Sequence, residues 1–212
     1  MNKTLDKKST KEKLLEAAFL LVREKGYSST TVDQLCEFAG VTKGSFFHYF
    51  ESKETWAVES AKHWSFVTGK FFAAASYHEL TDPLDRILGY VDFRKRILRG
   101  KSSEFTCLVG TMVQEAYESH PEIRKACQES IFSHARTLES DIKDAIDIYK
   151  PNIKLTPQSL ALHTQAVLQG AFILAKASQD PKNAIDSIDH LKNYIRLLFE
   201  NKKTHKKRNS NV

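Results

Sequence analysis

Apolar residues along this chain recur at every third or fourth position, the spacing of a helix with one buried face. In residues 9 to 25, STKEKLLEAAFLLVREK, Leu14, Leu15, Ala18, Phe19 and Val22 fall on that spacing, Ser9 or Thr10 can cap the start, and Gly26 stops the run. The same reasoning predicts short helices over 31–39 and 42–50, a longer one over 53–76, and others over 82–99, 104–118, 121–149, 157–178 and 182–200, nine in all. Pro83 and Pro121 stand at the start of two of them, and KPNIKLTP sets the last pair apart. No strand-like alternation and no internal repeat competes. The expected fold is all-α, with a three-helix head over 1–52 holding a helix-turn-helix, a larger six-helix domain over 53–200, and a basic, disordered tail over 201–212.

The stretch GVTKGSFFHYFESKE, residues 40 to 54, does not fit an ordinary surface or core helix. Two short helices crossing steeply need a small residue at the contact, and Cys36 supplies it. Gly40 allows the tight turn through a positive φ, and Val41 plugs it. Leu35, Phe46 and Phe50 point inward with Phe19 and Val22 of the first helix, and Thr42 caps the third. Those assignments leave an outward set: Lys43, Gly44, Ser45, Phe47, His48 and Tyr49, with Lys53 at the next helix start. A helix beginning with Lys and Ser, with Gly44 permitting close approach, suits the floor of a major groove. His48, Tyr49 and Lys53 suit phosphates, and Thr31 adds a hydroxyl beside the free amides of its own helix start. A plain helical corner with an aromatic core explains the inward residues but not the outward ones.

Charge adds little to that argument. The net charge is +6, but residues 201–212 carry five basic groups and no acidic one, so nearly all of the excess lies in the terminal segment. Three cysteines, odd in number and far apart, fit a reducing compartment better than a disulfide framework. The start, MNKTLDKKSTKEK, has no apolar segment, and runs such as AAFLLV and FFAAA are too short to span a bilayer. The expectation is a cytoplasmic protein without a membrane role. Enzyme motifs fare poorly. The GKS at 100–102 resembles the end of a phosphate-binding loop, but position 95 is Lys where that pattern needs Gly. There is no G-x-S-x-G, and the eight histidines show no close pair at metal-ligand spacing, so no metal or cofactor is expected.

The segment TTVDQLCEFAGVTKGSFFHYFESKETW resembles the DNA-binding region of the TetR family of transcriptional regulators. The likeness is strong over about 9–60 and looser beyond. It implies three N-terminal helices for double-stranded operator DNA and a larger helical domain for effector binding and homodimerisation. Lys43, Ser45 and Phe47 would then meet base edges or the groove wall, and Thr31, His48, Tyr49 and Lys53 the backbone. Many members have Tyr at the place of Phe47. Phe47 lacks that hydroxyl and can touch a thymine methyl instead. Cys36 stands where Ala is usual and reads as a packing residue.

The last two helices carry broad apolar stripes: Leu160, Val167, Leu168, Ala171 and Leu174 on one, Ile188, Leu191, Ile195 and Leu198 on the other. The resemblance implies that two helices from each of two chains form the dimer interface there, and intrachain packing is the plainer alternative. Between head and interface, Trp64, Phe93, Cys107, Met112 and Glu115 are candidates to line a cavity for a small apolar or electrophilic effector. Cys107 falls near a helix start, where the dipole favours an anion, with Arg99 and Lys101 close in sequence. Its plainer reading is a small buried residue, its sharper one a thiol that meets electrophiles or oxidants. The function expected is a repressor that leaves DNA when an effector binds. Two alternatives stay open: a TetR-fold DNA-binding protein controlled by a protein partner, and a helical small-molecule-binding protein with no DNA role.

Overall fold

A computed structural model describes residues 8–200; the basic segment 201–212 lies outside them. The described residues form eleven α-helices and one 3-10 helix, with no strand among them. They divide into two compact units: residues up to Lys70 with Gly100–Ile131, and Phe71–Arg99 with the chain from Phe132 onward.

The first unit is built on α1 (Thr10–Lys25), α2 (Val32–Ala39) and α3 (Lys43–Tyr49). Each starts with a hydroxyl cap: the side chains of Ser9, Thr31 and Thr42 accept from the amides of Glu12, Gln34 and Ser45. Ser9 and Thr31 close full capping boxes, because Glu12 and Gln34 reach back to the cap amides. The turn between α2 and α3 is set by Gly40, at φ 65° and ψ 41°. In that left-handed conformation its amide meets Glu37 O, and the Val41 amide meets Cys36 O at 2.9 Å. These residues leave the α2 and α3 undersides facing α1.

Leu14, Val22, Leu35 and Phe46 are fully buried, and Phe50 and Cys36 nearly so. α4 (Lys53–Ala73) closes this core with Trp56, which has no exposed surface and donates from Nε1 to Leu14 O at 2.9 Å. Leu108, Val109 and Met112 of α7 (Leu108–Ala116) belong to the same cluster, as do Ile123 and Cys127 of α8 (Pro121–Arg136). The helix-turn-helix is therefore floored by residues from well beyond position 52. The short α6 (Ser102–Phe105) precedes α7 and packs on α1.

The second unit holds the 3-10 helix Ser76–Glu79, α5 (Pro83–Arg96), α9 (Glu139–Tyr149), α10 (Pro157–Ser178) and α11 (Lys182–Phe199). The 3-10 segment lies against α5 at Gly89, where an added Cβ would sit 2.8 Å from the Cβ of Tyr77. The division between units falls inside α4, after Lys70, and inside α8, after Ile131.

Two stretches read from sequence as single helices are divided. Residues 104–118 become α6 and α7, parted at Thr106 and Cys107, whose ψ values of 168° and 123° are extended. Residues 121–149 become α8 and α9. There the amides of Thr137 and Leu138 bond three residues back, to His134 O and Ala135 O, and the Thr137 hydroxyl also takes His134 O. That hydroxyl competes for the carbonyl the helix would have used next. The helix over 53–76 ends at Ala73.

Candidate nucleic-acid interface and effector region

α3 presents two faces. Phe46 is fully buried, while Phe47 is half exposed, with the two rings edge to face at 5.3 Å. Lys43, Gly44, His48 and Tyr49 are exposed with Phe47, and Thr31 is exposed at the start of α2. A Cβ at Gly44 would meet only Thr42 Oγ1, at 3.7 Å, so the protein's own packing does not require glycine there. The start of α3 is open to solvent at that position. Thr31 Oγ1 accepts from Gln34 N at 3.3 Å, which leaves the hydroxyl hydrogen to donate outward.

Three residues of the outward set have internal partners. Ser45 is half-buried, and its hydroxyl shares a proton with Thr42 Oγ1 at 2.9 Å. Lys43 Nζ lies 2.9 Å from Asp33 Oδ1, both side chains well exposed. Such a surface pair contributes under about 1 kcal/mol, so Lys43 can leave it for a stronger anion. Lys53 is the most constrained. Its Nζ donates to Ser28 O at 3.2 Å and lies 4.3 Å from the Tyr27 ring centroid. Burial lowers its pKa, and Glu115 opposes that shift. Sequence spacing could not show Asp33 beneath Lys43, nor the exposed Phe38 on α2.

The five effector candidates are distributed between the units. Trp64, Cys107, Met112 and Glu115 lie in the first and Phe93 in the second. Met112 is fully buried in the core. Glu115 Oε2 accepts from Ser28 N at 2.9 Å, so it braces the loop between α1 and α2. Trp64 and Cys107 are brought together by Arg23, which sequence reading did not single out. The Arg23 guanidinium stacks over Trp64 at 5.0 Å and donates to the carbonyls of Phe19, Glu104 and Thr106. Burial brings its pKa down to about 10, against the pull of Cys107 and Glu104. Cys107 caps α7, with its Sγ accepting from Gly110 N at 3.4 Å. Cys107 is half-buried, whereas Cys36 and Cys127 are buried. Burial first, then Cys107, pushes the Cys127 thiol up to about 12.

The apolar stripes of α10 and α11 are largely used inside the protomer. Leu160, Leu168, Ala171, Ile188, Leu191 and Ile195 are all buried, and Val167 and Leu198 are partly so. Of the nine residues named from sequence, only Leu174 is exposed. The large apolar residues these helices do expose are Ile173, Leu174, Tyr194 and Leu197, the last at 67%.

A capped three-helix head whose third helix buries its aromatic underside and exposes Lys43, Phe47, His48 and Tyr49 is a helix-turn-helix of the kind that reads DNA. The chain belongs to the TetR family of bacterial regulatory proteins, whose N-terminal model matches residues 14–55, while the C-terminal domain model of LmrA/YxaF-like transcriptional regulators matches 83–188. It is a transcriptional regulator. It is 28% identical over 200 residues to the HTH-type transcriptional repressor NemR of Escherichia coli K12, covering 88% of this chain and 94% of that one. It is 26% identical over 195 residues to an HTH-type regulator of the lacX 3′ region in Lactococcus lactis, covering 91% and 96%. Among solved structures, reduced E. coli NemR shares the fold at TM-score 0.72 and 23% identity, over 87% of this chain and 95% of that one. A TetR-family regulator from Agrobacterium tumefaciens does so at 0.76 and 16%, over 87% and 96%. No helix among the described residues is long and apolar enough to cross a membrane.

Proposed function

We propose that this regulator is a repressor that binds operator DNA as a homodimer and releases it when a small apolar or thiol-reactive effector acts. The supporting observation is the outward set on α3, with space at Gly44 that the protein's own packing does not use. Lys43 and Phe47 enter the major groove, and Thr31, His48 and Tyr49 take the backbone. Ser45 supports the helix start, and Lys53 offers phosphate the donors it does not spend on Ser28. The exposed Ile173, Leu174, Tyr194 and Leu197 supply an apolar face for the second copy. A twofold dimer then sets its heads on half-sites about 34–36 Å apart. A relative named as a repressor supports that sign of regulation.

Binding to duplex from the region upstream of the gene tests this reading. Wild-type protein is expected to bind with steep salt dependence, and Lys43→Ala to lose about 10–100-fold in affinity with an unchanged melting temperature. A protein that ignores that duplex at low ionic strength refutes the proposal.

Thiol reactivity centres on Cys107. It is the half-buried cysteine of the three, its sulfur faces the Gly110 amide, and it lies in the field of Arg23. Cys107→Ser is expected to hold the duplex when a maleimide is added, under conditions where wild type lets go. Equal release by both proteins removes Cys107 from the mechanism.

A further inference from the structure

The second unit contains a cation whose charge no acid answers. Arg94, in the last turn of α5, lies over the Phe72 ring at 4.3 Å and the Tyr90 ring at 5.3 Å. Its Nε donates to Tyr90 Oη at 2.9 Å, and its Nη2 lies 2.8 Å from His134 Nε2. A guanidinium cannot accept a hydrogen bond, so His134 Nε2 carries a lone pair and the imidazole is neutral. Burial, reinforced by Arg94, brings the His134 pKa down to about 3, in agreement with that assignment. Tyr90 Oη receives Arg94 Nε and also Gln165 Nε2, at 3.1 Å, so its own proton points to His134 Nε2, 3.0 Å away. All the hydrogen-bond partners of the guanidinium are neutral.

Four acids of the second unit have partners elsewhere. Asp141 holds Arg86 at 2.7 Å, Asp92 holds Lys192 at 2.7 Å, and Asp189 holds Lys95 at 2.6 Å. Asp82 accepts from Tyr149 at 2.6 Å and caps α5. Among the described residues Arg94 has no ion-pair partner. A partly desolvated charge without a counterion is costly, and a ligand carrying the opposite charge would relieve that cost. The surroundings are aromatic. The Phe93 ring lies edge to face with Phe72 at 5.4 Å and tilted against Phe71 at 5.2 Å and Tyr77 at 5.8 Å.

We propose that Arg94 anchors the carboxylate of a small organic acid whose apolar body lies against Phe93 and the exposed ring of Phe71. The guanidinium fork matches a carboxylate with two parallel hydrogen bonds, and the rings exclude water from the pair. Tyr90, His134 and Gln165 hold the fork in place. This adds an anionic class of effector to the apolar or thiol-reactive one and rests on the effector-responsive reading above.

Full-length protein is titrated with benzoate and hexanoate, and with neutral benzamide, at constant ionic strength, and binding is followed by calorimetry. Saturable binding of an acid with much weaker binding of benzamide is expected. Arg94→Lys should weaken the acid about tenfold and Arg94→Gln about 10–100-fold. A purely structural Arg94 would lower the melting temperature in the variants without changing the ratio of benzoate to benzamide affinity. The anion site is overturned if neither acid saturates at millimolar concentration, if benzamide matches benzoate, or if Arg94→Gln binds benzoate as wild type does. Where a variant does not fold, the comparison of benzoate with benzamide on wild type decides. Release of bound duplex by benzoate supports the regulatory role, and benzoate binding that leaves duplex affinity unchanged overturns that role while keeping the site. A protein that binds the acid but no duplex refutes the repressor reading and not the site.

Discussion

Trp56→Ala is expected to remove about 3–5 kcal/mol of stability, the cost of emptying a fully buried aromatic site. Domains of this size hold about 5–15 kcal/mol in all, so the loss is a large fraction. The site is shared: Trp56 packs in one cluster with Phe46 and Phe50 beneath α3, and its Nε1 ties α4 to the Leu14 carbonyl of α1. A cavity there loosens the floor on which α3 rests, so duplex binding should fail at a temperature where wild type still binds. Trp56→Phe keeps most of the ring and loses the bond to Leu14, at about 1–3 kcal/mol. Urea unfolding followed through the remaining Trp64 measures both. An unchanged midpoint in the alanine variant would show that this core does not support the head.

The second large effect concerns assembly. Leu174→Asp combined with Leu197→Asp places two charges on residues of α10 and α11 that are 52% and 67% exposed within the chain. Light scattering should report a monomer with wild-type helicity, and operator affinity should fall by about 10²–10⁴-fold once the two heads no longer act together. Ile195→Ala is the contrasting variant. Ile195 is fully buried inside the protomer, so its truncation should cost about 2–5 kcal/mol of folding stability. A dimer that survives both aspartates moves the interface elsewhere.

The head was readable because its rules are local. Hydroxyl caps, a glycine at a left-handed turn and rings spaced around one short helix each act within a few residues, and the chain folds there as that grammar dictates. The stripes of the last two helices were visible as apolar, but not which side of them faced inward. α10 and α11 carry apolar residues on more than one face, so periodicity alone could not separate Ile195, fully buried, from Leu197, two-thirds exposed. The interruptions at Thr106 and at Thr137 have neither glycine nor proline to announce them. The contacts around the candidate effector residues are long-range. Arg23 reaches carbonyls more than eighty residues ahead, and Arg94 meets His134 across forty. A single sequence gives no spacing rule for such meetings.

In the proposed complex with DNA, Asp33 beside Lys43 would bear on how the protein searches a chromosome. The carboxylate, 2.9 Å from Nζ, would compete as a tethered anion with any phosphate or guanine edge that Lys43 meets. On random duplex Lys43 would gain little by exchanging one partner for another, so adhesion to wrong sequences would be blunted. A guanine that takes two hydrogen bonds from the ammonium would draw Lys43 away and leave Asp33 free. Discrimination would then depend partly on a side chain that contacts no nucleotide.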